Sequence, residues 1–136
     1  MSKVEQTLSI IKPDAVERNL ESEIKKKLSL NKLNIIKEKK IQISKDEAAE
    51  FYKVHQTKPF YERLCNYLAS GPIVVMVLEG DNSIENYRKI MGATDPKNAE
   101  SGTIRKEYGI SIDKNSIHGS DSIENAKKEI EFFFKS

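Results

Sequence analysis

Apolar residues alternate in some stretches of the chain and recur every three or four positions in others, and the switch between the two periods marks out the elements. Thr7 to Ile11 alternates and is rich in strand formers, which predicts a first strand. It must finish at Lys12-Pro13-Asp14, because Pro13 offers no N–H to a ladder and holds Lys12 extended. From Glu17 to Leu30, Leu20, Ile24 and Leu28 recur in helical period, with lysines on the far, solvated face. Leu33 to Ile43 predicts a second strand, whose Lys37-Glu38-Lys39-Lys40 centre suits an exposed or edge position. Ser44 with Glu47 is a capping box that opens a helix through Phe51 and Tyr52 toward His55. Lys58-Pro59-Phe60 breaks that helix, and Tyr61 to Ala69 resumes it with Leu64 and Leu68.

After a turn at Ser70-Gly71-Pro72, Ile73 to Leu78 is apolar at every position, which marks a central strand covered on both faces. Asn82 with Glu85 reads as a further capping box, for a helix from Ser83 to Met91 that ends at Gly92. Ala93 to Lys114 shows little period, and a loop this long in a small domain is usually functional or disordered. It returns the chain to Ser116-Ile117 and then, through Gly119, to a last helix with Asp121 and Glu124 as its capping box. Ile123, Ala126, Ile130 and Phe133 recur along that helix. The order β-α-β-α-α-β-α-loop-β-α implies an α+β fold. We expect a ferredoxin-like four-stranded antiparallel sheet of the split βαβ kind, with surrounding helices on one face and a long loop before the last strand.

Length and charge narrow the classes. The 136 residues are expected to form a single domain, 1–136. A net charge of +2 gives no general reason to wrap nucleic acid or coat a membrane, so any anion site must be built locally. The single cysteine, Cys65, rules out an internal disulfide and reads as a small buried hydrophobe in a helix. No leader-like apolar region and no membrane-length run is present, so the chain is expected to be cytoplasmic.

The candidate chemistry centres on His118, one of two histidines. The sequence places an imidazole at a strand end, a glycine that allows close approach, and Glu129 two turns into the following helix. An attacking imidazole needs a partner on one nitrogen to fix its tautomer, and Glu129 is the candidate. A lone histidine near a glycine is more often a satisfied structural residue, and Arg88 and Arg105 read equally as surface arginines. His55 reads as structural, Phe132-Phe133-Phe134 as core and helix-end packing, and Tyr52 as either. If the long loop folds back, Lys12, Arg88, Thr94 and Arg105 converge on His118. Fixed cations and a hydroxyl around an imidazole suit a phosphoryl group, whose transfer is mostly positioning and charge stabilisation. A triphosphate carries roughly four negative charges, which leaves a remainder for Mg2+ held by the phosphates themselves. Phosphate-loop, dinucleotide-fingerprint, paired-cysteine and Gly-x-Ser-x-Gly motifs are all absent from the sequence, and a zinc site built by the protein is not expected.

Six runs, in order and nearly end to end, give the chain a resemblance to nucleoside diphosphate kinase. They are Lys12-Pro13-Asp14, Lys58-Pro59-Phe60, Ser70-Gly71-Pro72, Met91-Gly92-Ala93-Thr94, Gly102-Thr103-Ile104-Arg105 and Asn115-Ser116-Ile117-His118-Gly119-Ser120-Asp121-Ser122. The last is the most specific. The resemblance implies Mg2+ as cofactor, carried mainly by nucleotide phosphates with no protein ligand set, and transfer of a terminal phosphate between nucleotides through a phosphohistidine. It matches His118 to the nucleophile and Glu129 to the carboxylate that holds its ring. Lys12, Arg88, Thr94 and Arg105 match residues on the phosphates, with Lys12 and Asn115 toward the sugar. Phe60 matches the aromatic stacked on the base and Ile112 the apolar residue opposite. Tyr52 matches a tyrosine beside the nucleophile and Gly119 the glycine after it. The resemblance also implies a homo-oligomer, tetramer or hexamer.

Stacking reads no base edge, so broad base and sugar specificity is expected. A protonated imidazole cannot attack, so activity is expected to fall on the acid side. Departures from the family pattern at Ala15, Asn19, Ser22, Ser101, Lys106 and Lys114 remove no catalytic group. The competing reading, an RNA-binding module on the same sheet type, lacks its aromatic strand motif, so no specific nucleic acid is expected. A catalytically silent scaffold of the same fold stays open at this point.

Overall fold

The computed structural model describes residues 4–53, 56–110, 114 and 116–134. His55, Ile112 and Asn115 lie outside them. The element order is β1 (Val4–Ile11), α1 (Pro13–Glu17), α2 (Glu21–Leu30), β2 (Asn34–Ile41), α3 (Lys45–Phe51), α4 (Tyr61–Leu68), β3 (Ile73–Asp81), α5 (Ser83–Met91), a 3-10 turn (Pro96–Asn98), α6 (Ile104–Tyr108), β4 (Ile117–Gly119) and α7 (Ile123–Phe133). The four strands form one sheet in the order β2-β3-β1-β4, and every neighbouring pair is antiparallel. This is the ferredoxin-like α+β arrangement expected from the sequence.

Helices cover both faces of the sheet rather than one. Along the central strands β1 and β3 successive side chains point to opposite faces, and Thr7–Ile11 and Ile73–Leu78 are buried on both, so each face needs its own cover. On one face Ile11, Val74, Met76 and Leu78 join a core with Ile24, Leu28, Tyr87, Met91 and Ile104 from α2, α5 and α6. On the other, Leu8, Ile10, Ile73 and Val75 pack with Ala48, Cys65, Leu68 and Phe133 from α3, α4 and α7. Edge strand β2 is mostly exposed, in keeping with its lysines. Its pairing slips between Ile35 and Lys37, which leaves Ile36 exposed.

Four local readings need correction. The helix read from Glu17 to Leu30 begins only at Glu21, because a separate short helix, α1, ends at Glu17 and Asn19 turns left-handed between the two at φ 59°. Asparagine tolerates that conformation, so the turn closes without glycine. Asn82 caps nothing with its side chain and sits at φ 49°, because a single residue joins β3 to α5 and must reverse the chain. The start of α5 is met instead by Glu5 of β1, whose Oε1 accepts from the Ile84 N–H at 3.3 Å. Ser122, not Asp121, caps α7, accepting from the Asn125 N–H, while Asp121 takes the Asn125 side-chain amide. Within 93–114 the described residues include the 3-10 turn and α6, so that stretch is not all loop. The Ser44–Glu47 capping box forms in full. Among the described residues no helix is long and apolar enough to cross a membrane.

Candidate active site

The register of β4 on β1 decides where the imidazole goes. Ile10 faces His118 across the pair, so the ring lies on the face covered by α3 and α7. There His118 Nε2 lies 2.9 Å from Glu129 Oε1 of α7. A carboxylate only accepts, so Nε2 carries the proton and Nδ1 keeps its lone pair. Nδ1 has no hydrogen-bond partner among the described residues. Glu129 is itself held: Ser120 Oγ donates to the same Oε1 at 2.9 Å, and Ser120 Oγ accepts from the Leu8 N–H at 3.2 Å. A chain of hydrogen bonds thus runs from the β1 backbone to the ring. Phe51 of α3 stands edge to face with the imidazole, with centroids 5.3 Å apart and planes at 77°.

Flanking residues pass to the opposite face. Gly119 has no room for a side chain, since a Cβ there would lie 2.8 Å from the Tyr87 ring and 2.9 Å from Met91 Sδ. The wholly buried Tyr87 donates its hydroxyl to the His118 carbonyl at 3.1 Å and lies 2.5 Å from Ser9 Oγ. Burial pushes its phenol well above the usual range, so it stays a donor.

A cleft of about 1080 Å3 opens beside β4, at the upper end of small-molecule sites. Its lining brings together Lys12, Tyr52, Phe60, Arg88, Thr94, Arg105, His118 and Gly119, all predicted site residues. Lys12 follows the end of β1 and is only 6% exposed, and Arg105 of α6 is 7% exposed. Arg105 donates from Nη1 to the Gly92 carbonyl at 3.1 Å and from Nη2 to the Ile117 carbonyl at 2.9 Å. Its Nε is buried without a hydrogen-bond partner among the described residues. Burial pushes this guanidinium down; Tyr87 opposes the shift, and the positive charge of nearby Arg88 adds to it. Two guanidinium groups and an ammonium, two of the three nearly buried, line one cleft and make a site that favours an anion.

Among the described residues no group of three or more His, Cys, Asp and Glu side chains could hold a metal ion. Two predicted site residues, Ile112 and Asn115, lie outside the described residues. Three supports of the site were not singled out from the sequence: Ser120, which holds Glu129, and Tyr87 and Phe51, which touch His118 itself. Ser120 lies within the most specific run, so a signal existed. Tyr87 and Phe51 sit at ordinary core positions of their helices and gave none.

Sheet topology and site together define a class: a ferredoxin-like α+β domain with an oriented imidazole in a cation-lined cleft. The nucleoside diphosphate kinase family model matches residues 5–136. The nucleoside diphosphate kinase of a Nitratiruptor species is 56% identical over 131 residues, 96% of each chain. A crystal structure of the Aquifex aeolicus nucleoside diphosphate kinase superposes with a TM-score of 0.96 at 39% identity, covering 98% of this chain and 97% of that one. The enzyme from Encephalitozoon cuniculi gives 0.94 at 36% identity, covering 97% and 90%. The chain belongs to the nucleoside diphosphate kinase family, enzymes that transfer phosphate between nucleotides.

Proposed function

We propose that this chain carries out the family's phosphate transfer in two half-reactions at one site, through a phosphohistidine at His118. The observation that carries the reading is the ring itself: Nε2 is engaged by Glu129 while Nδ1 has no hydrogen-bond partner among the described residues, and the ring lines a cleft with Lys12, Arg88 and Arg105. In the first half-reaction Nδ1 attacks the terminal phosphorus of a nucleoside triphosphate. The P–N bond forms as the bond to the bridging oxygen breaks, and the diphosphate leaves with that electron pair. In the second, a terminal oxygen of another diphosphate attacks the same phosphorus and the P–N bond breaks. This is ping-pong covalent catalysis.

Lys12, Arg88 and Arg105 hold the phosphate oxygens and absorb charge as it moves toward the leaving group, with the Thr94 hydroxyl as a further donor. Glu129 keeps the Nε2 proton and offsets the positive character the ring gains when Nδ1 is phosphorylated. Tyr52 lies in the same cleft and bounds the space beside the nucleophile. Phe60 stacks on the base, with Ile112 opposite and Asn115 toward the sugar, so the site accepts many bases and both sugars. Gly119 gives β4 its close approach to α5.

In this reading Mg2+ is carried by the substrate phosphates, which offer the hard oxygen ligands it prefers. When bound there it neutralises charge on the phosphates. We extend the reading to a single domain over 1–136 that works as a homo-oligomer, tetramer or hexamer, in the cytoplasm. The lone buried Cys65 suits a reducing compartment.

The test is incubation with ATP·Mg2+ followed by intact-mass measurement. One phosphate should be added, should be lost when a diphosphate of another base is supplied, and should never appear in His118→Ala. No adduct on the wild-type protein, or an adduct that survives His118→Ala, overturns the reading.

A further inference from the structure

Away from the imidazole, a second polar cluster surrounds one buried carboxylate. Asp14, near the start of α1, is 5% exposed yet makes three side-chain contacts from three directions. The Tyr67 hydroxyl of α4 donates to Asp14 Oδ1 and also accepts from the Asp14 N–H at 2.8 Å. On Oδ2, Arg18 Nη2 donates at 3.1 Å and Ser116 Oγ at 3.3 Å. Arg18 reaches on from there, donating to the Tyr108 carbonyl at 2.5 Å, so the end of α6 is tied in as well.

Two of these contacts lie next to site residues in the chain. Asp14 is two residues after Lys12, and Ser116 is two residues before His118. The Lys12 N–H also donates to the Ser116 carbonyl at 2.8 Å, so the two segments are bonded directly. Ser116 holds φ at 77°, a left-handed backbone that a serine adopts only when its surroundings over-determine it. The surroundings here are the Lys12 amide on its carbonyl and the Asp14 carboxylate on its hydroxyl.

We propose that Asp14 is a positioning residue for phosphate transfer: anchored by Tyr67 and Arg18, it holds Ser116 in its left-handed conformation and so sets Lys12 and His118 in register across the cleft. The inference rests on the reading of His118 as the phosphorylated group. Asp14 touches no reacting atom in this scheme. It acts through the geometry of in-line attack, where displacement by about an ångström can cost about a hundredfold, and leaves the base-stacking end of the cleft as it was.

The experiment compares wild type, Asp14→Asn, Tyr67→Phe and the double variant Asp14→Asn/Ser116→Gly, at a temperature where circular dichroism shows all of them folded. Rapid-quench phosphorylation by ATP·Mg2+ gives the first-order rate at saturation and the half-saturating ATP concentration. Asp14→Asn should lower the saturated rate about ten- to a hundredfold and move half-saturation less than about threefold. Tyr67→Phe, the milder change, should move the rate in the same direction by less. Glycine holds a positive φ without an anchor, so the double variant should recover at least about tenfold of any hundredfold loss. Wild-type rates in both single variants, a loss confined to half-saturation, or a double variant no faster than Asp14→Asn overturns this proposal alone. A wild-type protein that takes up no phosphate overturns the reading of His118 and this inference with it.

Discussion

His118 sits between two faces of the sheet that make different demands. Its side chain needs a polar partner in an otherwise apolar layer, and Glu129, steadied by Ser120, supplies it. The next residue must present nothing at all to the opposite face, where Tyr87 and Met91 leave no space for a Cβ. Gly119→Ala should therefore destabilise the protein by about 1–3 kcal/mol in urea unfolding, as overpacking against a rigid aromatic does. A variant as stable as wild type would mean α5 yields freely. Lys12, Arg105 and His118 were legible as single residues because they stood in specific runs, whereas Arg88 and Glu129 lay outside those runs and were read from their places on helices. What could not be read was the support behind them. Tyr87 reaches the His118 carbonyl only because α5 lies across β4, and nothing at position 87 announces that distance.

Helix starts show how far local patterns carry. At Ser44 the pattern and the surroundings agree, and both bonds of the capping box form. At Asn82 an equally good pattern fails, since the one-residue link from β3 forces a left-handed turn and Glu5 from β1 meets the helix instead. Ser44→Ala should cost about 1 kcal/mol of stability, whereas Asn82→Gly should stay within about 0.5 kcal/mol of wild type. Equal losses at the two positions in denaturant titrations would contradict this account of the caps. The four strands and their antiparallel class were legible, and the apolar run Ile73 to Leu78 already required cover on both sides. The expectation of helices on one face fell because β1 carries the same double demand, partly masked in sequence by Thr7 and Ser9.

Across the whole molecule, one buried and one half-buried phenol tie segments far apart in sequence. Tyr67 joins α4 to α1, and Tyr87 joins α5 to β1 and β4. Burial raises both above the ordinary phenol value of 10.0; the hydrogen bond and charge of Asp14 add to the effect at Tyr67, and the hydrogen bond from Ser9 opposes it at Tyr87. The folded protein then keeps protons that the unfolded chain releases, so the contribution is whole below pH 10 and is lost as pH climbs above it. Melting temperatures of wild type and Tyr87→Phe should differ by a constant amount from pH 7 to 9, and wild type should fall faster above pH 10. Parallel curves throughout would show that burial does not hold the proton on Tyr87.

The central claim is that Glu129 occupies Nε2 and leaves Nδ1 as the nitrogen that takes the phosphoryl group. Phosphorus and nitrogen NMR of the denatured phosphoprotein, prepared with ATP·Mg2+ and ring-labelled histidine, distinguishes the two isomers directly. The account predicts phosphate on Nδ1 of His118 alone. Phosphate on Nε2, or on any other residue, would contradict it.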